Sequence, residues 1–313
     1  MCGIVGLYLK NPTLNRHLGA LFEPMLLEMT QRGPDSTGFA IYRDPQPLGG
    51  IKIVLQNAAA DFEWAEVAAD LRRHFMADVD FRPIHTHCLL TLNADEASVR
   101  RYLLRTTAPY AVVSIGRHIE IYKEVGLPAA VASLFKLSAA QGSHAIGHTR
   151  MATESAVTTA GSHPFSTGSD LCLVHNGSLS NHNRLRRKLA KDGAVFRTEN
   201  DSEVAAQYLD VQMRHGLSLE AALYAALKDL DGFFTFTIGT SDGFAVLRDP
   251  IACKPAVMAE TPEWVAMASE YRALAKLPGV EQARVWEPEP ATVYVWEKGG
   301  QARAARARFA QAS

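Results

Sequence analysis

The sequence predicts an α+β protein. Strand-like runs and helix-like stretches are interleaved through all 313 residues. Residues 233–238 and 243–247 read as a hairpin across 239–242, so neighbouring strands pair antiparallel. The chain shows no internal repeat, no phosphate-cradling glycine loop and no dinucleotide fingerprint.

Residues 3–9 alternate loosely and end at Asn11-Pro12, which gives a strand and a turn. Leu18, Leu21, Phe22, Met25, Leu26 and Met29 follow the i, i+3, i+4 spacing of a core-facing helix. Pro24 starts or kinks that helix. Another strand is expected over 37–43. Residues 51–143 then read as an inserted α+β subdomain: a helix over 61–75, an apolar stretch over 84–92, a helix from Asp95-Glu96 to Leu104, strands over 110–115 and 118–122, and a helix over 127–137. Such an insert serves as a substrate-access lid or a partner-docking surface. Within it, His85 and His87 would share one face of a strand, but two ligands without a third make a poor metal site. After Arg150 the pattern gives a strand over 171–174, a basic helix over 179–191, capped helices over 201–213 and 218–230, the hairpin, and late strands over 264–268 and 292–296. Residues 298–313 read as a C-terminal tail, frayed or partner-facing.

Lys and Arg total 32 against 33 Asp and Glu, so no net field recruits nucleic acid or an anionic membrane. No apolar run approaches the roughly 20 residues that span a bilayer, and no signal peptide is apparent. Cys2, Cys88, Cys172 and Cys253 are too scattered for a disulfide framework or a zinc pattern. The expectation is a cytoplasmic protein in a reducing compartment.

Cys2 is the most informative residue. It follows the initiator Met, and removal of Met1 requires a small second residue, which Cys is. The mature chain would begin with a residue carrying both a thiol and a free α-amine. An ordinary α-amine titrates near about 7.7–8.0, so a neutral base is at hand near neutrality. A nucleophile beside its own base is an established N-terminal device.

Downstream of Cys2-Gly3-Ile4-Val5-Gly6 come Arg32-Gly33-Pro34-Asp35-Ser36-Thr37-Gly38, Gly147-His148-Thr149-Arg150-Met151-Ala152-Thr153, His175-Asn176-Gly177-Ser178-Leu179-Ser180-Asn181, Asn200-Asp201-Ser202-Glu203 and Ala268-Ser269-Glu270. This ordered set resembles the class II (N-terminal-nucleophile) glutamine amidotransferase domain of glutamate synthase and amidophosphoribosyltransferase. The resemblance covers about residues 1–50 and 144–297. It implies one amidotransferase domain with the four-layer αββα sandwich of N-terminal-nucleophile hydrolases.

It also implies roles. Cys2 would attack the side-chain amide of glutamine, and Asn176 and Gly177 would hold the oxyanion. Arg150 would grip the α-carboxylate and Asp201 the α-ammonium. Thr153 would contact substrate, and Arg32 would close over it. His148 and His175 are read as structural, because this mechanism has no separate histidine base. Met151 replaces the aromatic usual in relatives, and Arg248-Asp249-Pro250-Ile251-Ala252 lacks the glycine of the family's Arg-Asp-Pro-x-Gly stretch. No metal or cofactor is implied in this chain.

The chain ends soon after the amidotransferase core, so a synthase partner in trans is expected. Length and branch look most like the amidotransferase-like subunit of N-methylglutamate synthase, whose glutamate-synthase-like partners carry FMN and an iron-sulfur cluster. The product passed on would be ammonia, or methylamine from γ-glutamylmethylamide. The alternatives are a catalytically quiet assembly subunit and a stand-alone N-terminal-Cys amide hydrolase.

Overall fold

A computed structural model describes residues 2–45, 50–105, 109–152, 156–298 and 303–306. Two antiparallel sheets form its centre. The first comprises β1 (Gly3–Leu9), β2 (Ser36–Tyr42), β7 (Ile119–Val125), β8 (His144–Arg150), β13 (Val257–Glu260), β14 (Trp264–Ala268) and β15 (Arg284–Trp286), in the order β15-β13-β14-β1-β8-β2-β7. The second comprises β9 (Phe165–Ser166), β10 (Cys172–Leu179), β11 (Gly232–Gly239), β12 (Gly243–Arg248), β16 (Thr292–Glu297) and β17 (Arg303–Arg306), in the order β17-β16-β12-β11-β10-β9. Strands β1 and β8 lie over β10 and β11. At Gly6 the sheets come so close that a Cβ there would meet the Phe244 ring at 2.4 Å.

Helices α1 (Leu18–Glu28), α4 (Pro128–Leu134) and α8 (Tyr271–Leu274) cover the outside of the first sheet. Helices α5 (His182–Lys191), α6 (Asp201–Arg214) and α7 (Leu219–Asp229) lie on the second-sheet side, with α6 against β10 and α7 against β16. This is the expected αββα sandwich, and the period-2 geometry of strands explains it. On β12, Phe244 and Val246 point into the layer between the sheets, while Ala245 and Leu247 point toward α6 and α7. Strand β16 repeats this with Tyr294 and Trp296 inward and Val293 and Val295 outward. Both faces are buried, so these strands read as continuous apolar runs. Pro24 lies inside α1, preceded by a tight turn over Pro12–His17. The helix continues through it.

Between β2 and β7 the chain builds a third sheet of β3 (Ile51–Gln56), β4 (Val79–Ile84), β5 (His87–Leu92) and β6 (Ala111–Gly116), ordered β4-β5-β3-β6. Helices α2 (Trp64–Phe75) and α3 (Glu96–Arg105) belong to it, and Trp64, Leu71, Leu90 and Val99 sit in its own hydrophobic core. The expected boundary of 51–143 is too long. Residues 119–125 are β7, which pairs with β2 from Ser36↔Val125 to Tyr42↔Ile119, and α4 packs beside it. The excursion therefore closes at Gly116.

The third sheet is not a loose lid. Val54, Leu89 and Val113 on its other face join the main core. Buried Lys52 and half-buried Arg43 both ion-pair with Glu120 on β7, at 3.3 and 3.1 Å. His85 lies in the turn between β4 and β5 and His87 opens β5, so the two do not share a strand face. His87 packs edge-on against Phe135, and burial pushes its pKa down to about 3. Within the expected tail, Arg303–Arg306 pairs with β16, and residues 299–302 and 307–313 lie outside the described residues. No described helix is long and apolar enough to cross a membrane.

Candidate functional site

Cys2 precedes β1 at the end of the first sheet. Gly3 pairs with Thr149 on β8, and one further step of that register sets Cys2 beside Arg150. The Cys2 thiol is half-buried and lies 3.9 Å from the Met151 carbonyl. Its backbone is held from two sides. Arg32 Nε donates to the Cys2 carbonyl at 3.0 Å, and Arg32 Nη1 pairs with Glu270 at 2.9 Å. Next along, the Ile4 amide donates to Ser269 Oγ and the Ser269 amide to the Ile4 carbonyl.

Arg32 was expected to close over a substrate. The structure places its guanidinium on the Cys2 carbonyl and Glu270, where it anchors the residue that bears the thiol. Glu270 and Ser269 were in a quoted motif without a role, and their contacts supply one. Asp35 is a further residue that sequence reasoning left without a role: its carboxylate accepts from the Ala152 amide at 2.8 Å, and its own amide donates to the Arg150 carbonyl at 3.0 Å. Loop 32–35 thus braces the 150–152 segment. Thr153 lies outside the described residues.

The second sheet supplies the other wall. His175, Asn176 and Gly177 lie inside β10, with Asn176 opposite Thr235 and Gly177 opposite Phe234. The Asn-Gly pair is therefore strand, not the junction of a strand and a helix. Gly177 is required there, because a Cβ would stand 2.0 Å from the Phe233 carbonyl oxygen and 2.7 Å from His175 Nε2. Asn176 is 2 % exposed, and its Nδ2 has no hydrogen-bond partner. An unpaired buried amide donor costs about 1–3 kcal/mol, so a fold tolerates one for a reason.

Asp201 opens α6, next to Asn200, whose side chain caps the helix by accepting from the Ser202 amide. Asp201 Oδ2 accepts the Leu179 amide at 2.8 Å, tying the helix start to the end of β10. Its Oδ1 lies 3.3 Å from Ser202 Oγ, which in turn is 2.8 Å from His175 Nδ1. Burial lowers the His175 pKa against the opposing pull of Asp201. His148 bridges the sheets, with Nε2 3.1 Å from the His175 carbonyl, and burial pushes its pKa down to about 3. Both histidines are neutral near pH 7.

Arg150 ends β8, is 6 % exposed, and donates through Nη1 to the Ala156 carbonyl at 3.2 Å. Its guanidinium meets the α6 start across Gly161: a Cβ there would lie 3.6 Å from Arg150 Nη1, and Asn200 Nδ2 donates to the Gly161 carbonyl at 3.3 Å. A cation from β8 and the cap residue of α6 are thereby gathered on one loop.

A family model described as a glutamine amidotransferase domain matches residues 148–276, a span that includes Arg150, Asn176, Gly177 and Asp201. The glutamine amidotransferase-like protein GlxB of Rhizobium meliloti (strain 1021) is 55 % identical over 300 residues, covering 95 % of this chain and 98 % of that one. The chain belongs to the glutamine amidotransferase family. Its similarity to GlxB runs nearly end to end. The amidophosphoribosyltransferase of Methanocaldococcus jannaschii is 32 % identical over 170 residues, 52 % of this chain and 36 % of the relative. The solved glutamine phosphoribosylpyrophosphate amidotransferase from B. subtilis shares the fold of this family member, with a TM-score of 0.58 at 20 % identity. It aligns with 99 % of the chain, which spans 50 % of that enzyme. The fold is that of the phosphoribosylpyrophosphate amidotransferase.

Proposed function

We propose that this amidotransferase hydrolyses a γ-glutamyl amide through a Cys2 thioester. The observation that carries the reading is the buried Asn176 amide, its donor unpartnered, beside the Gly177 backbone. Removal of Met1 frees the Cys2 α-amine, which takes the thiol proton. The sulfur attacks the carboxamide carbon, and the C=O π pair moves onto oxygen. Asn176 Nδ2 and the Gly177 N–H receive that oxyanion. Collapse breaks the C–N bond, and the amine leaves with the proton held by the α-amine. Water then cleaves the thioester to glutamate and restores the thiol.

Arg150 offers a guanidinium to the α-carboxylate, and Asp201 a carboxylate to the α-ammonium. Arg32 fixes the Cys2 backbone, and Thr153 completes the substrate contacts. The amine passes to a glutamate-synthase-like flavin subunit in trans, as in N-methylglutamate synthase. Partly exposed Met151, whose carbonyl lies by the thiol, favours an apolar N-methyl group on the amide. Methylamine from γ-glutamylmethylamide is then a product alongside ammonia.

Intact mass before and after 6-diazo-5-oxo-L-norleucine, with Cys2→Ala alongside, tests the core of this reading. Loss of Met1 and one adduct, absent in Cys2→Ala, is expected. A retained Met1 without adduct would leave an assembly subunit as the better description. Steady-state rates on both amides in the full complex decide the finer point, and absence of methylamine release would sink it.

A further inference from the structure

A cavity of about 750 Å³ lies where the third sheet meets the sandwich. Its size is that of a small-molecule site. Its walls come from α3 and β6 of the excursion and from β9, the 193–198 loop and α6 of the core. Cys2, Asn176 and Asp201 are not among its lining residues. Leu104, Val112, Phe165 and Met213 give it an apolar body.

Its polar groups are unevenly engaged. The acids are spent: Glu203 accepts the Arg197 and Thr198 amides and the Thr198 hydroxyl. Asp95 accepts from the Ser98 amide and hydroxyl, Glu96 from Arg100 and Ser169, and Asp210 from Arg214. The donors are in surplus. The Arg197 side chain makes one hydrogen bond among the described residues, Nη1 to the Val112 carbonyl at 2.6 Å. Ser114, 1 % exposed, has a buried hydroxyl without a partner, and so has Thr167. Surplus donors beside an apolar wall suit an anion with an apolar body.

The cavity shares a wall with the candidate active site. Thr159 and Ala160 face it, while the adjoining Gly161 touches Arg150 and Asn200. Buried Lys123 pins this wall by donating to the Ala160, Ser162 and Pro164 carbonyls at 3.3, 2.7 and 3.4 Å. A ligand that shifts the wall shifts the groups around Arg150.

We propose that this cavity binds a small organic acid with an apolar body, its anionic end on Arg197 and the Ser114 and Thr167 hydroxyls, and that occupancy alters turnover through the 158–164 wall. The coupling rests on the function proposed above; the binding does not.

The test uses 8-anilinonaphthalene-1-sulfonate as the probe on the full chain. One saturable site per chain is expected, weakened at least tenfold by Arg197→Met. Exposed Ala97 lines the cavity from α3, so Ala97→Trp blocks it at little risk to folding and abolishes the signal. Fluorescence unchanged in both variants, or no binding, overturns the site. Glutamine hydrolysis with and without probe reads the coupling: a change in the parent that vanishes in Ala97→Trp supports it, and bound probe without a change overturns it. If no hydrolysis occurs in any sample, the functional reading has failed, and fluorescence alone decides the site.

Discussion

Replacing Asn176 by Ala separates a catalytic donor from a structural one, because the two roles predict opposite effects on stability. In the folded chain Asn176 is 2 % exposed and Nδ2 has no partner. Desolvating that donor without a hydrogen bond costs about 1–3 kcal/mol, which the truncation relieves. The lost contacts of a small side chain offset roughly 1 kcal/mol of that gain. The net expectation in urea unfolding is a variant between neutral and about 2 kcal/mol more stable. Activity should move the other way, since losing one oxyanion donor typically lowers turnover about 10²–10³-fold. Glutamine hydrolysis and unfolding are measured on the same preparation, with diazo-oxo-norleucine labelling to show that Cys2 stays in place. A variant that loses more than about 2 kcal/mol of stability yet hydrolyses glutamine normally would refute the argument, for Asn176 would then be an ordinary core residue.

Three further outcomes follow from the packing. Burial pushes His87, His144 and His148 down to about 3; each is neutral in the fold and binds a proton below about 6.5 when unfolded. Their stabilisation is complete above that pH and falls as pH drops toward 3, by about 2 kcal/mol per histidine at pH 5; a urea midpoint that does not fall between pH 7 and 5 contradicts this. Glu120→Ala strips buried Lys52 and Arg43 of their shared partner and should cost about 3–5 kcal/mol in chemical denaturation, whereas a loss under about 1 kcal/mol would show that the third sheet docks by apolar contact alone. Ala252 holds a φ of 54°, so Ala252→Gly should add about 1 kcal/mol of stability, and a lower thermal midpoint would count against strain at that turn.

How much of this was legible in the sequence depends on how local the signal is. The candidate-site residues could be named because they sit in short motifs, where identity and spacing carry the chemistry. The glycine missing from Arg248-Asp249-Pro250-Ile251-Ala252 was visible too, and its consequence is the left-handed Ala252. Partner choice was not visible. The 118–122 segment reads as a strand, but nothing local says that it returns across the whole excursion to pair with β2. His85 and His87 looked like one strand face because alternation cannot reveal a turn at His85, whose φ is 53°. Asn176-Gly177 fell between the expected strand over 171–174 and the expected helix from 179, and only the β11 register shows that the strand runs on through it. The Arg32 contacts were hidden for the same reason, since its carbonyl and carboxylate partners, Cys2 and Glu270, come from opposite ends of the chain.

Three buried polar groups of the candidate site are left unpaired. Arg32 Nη2, Asn176 Nδ2 and His175 Nε2 are buried without partners, while the carboxylates beside them are committed: Asp35 to Ala152, Asp201 to Leu179 and Glu270 to Arg32. A stability-driven arrangement would pair donors with acceptors evenly, as at Asp170, whose carboxylate accepts three successive amides from Arg117, His118 and Ile119. Among the candidate-site residues these acceptors are used on the scaffold, while two N–H donors and a ring nitrogen are left without partners. Groups fixed this way need no reorganisation when negative charge appears near them. The imbalance favours chemistry that builds an oxyanion beside the Cys2 thiol over a purely structural role for this end of the sandwich.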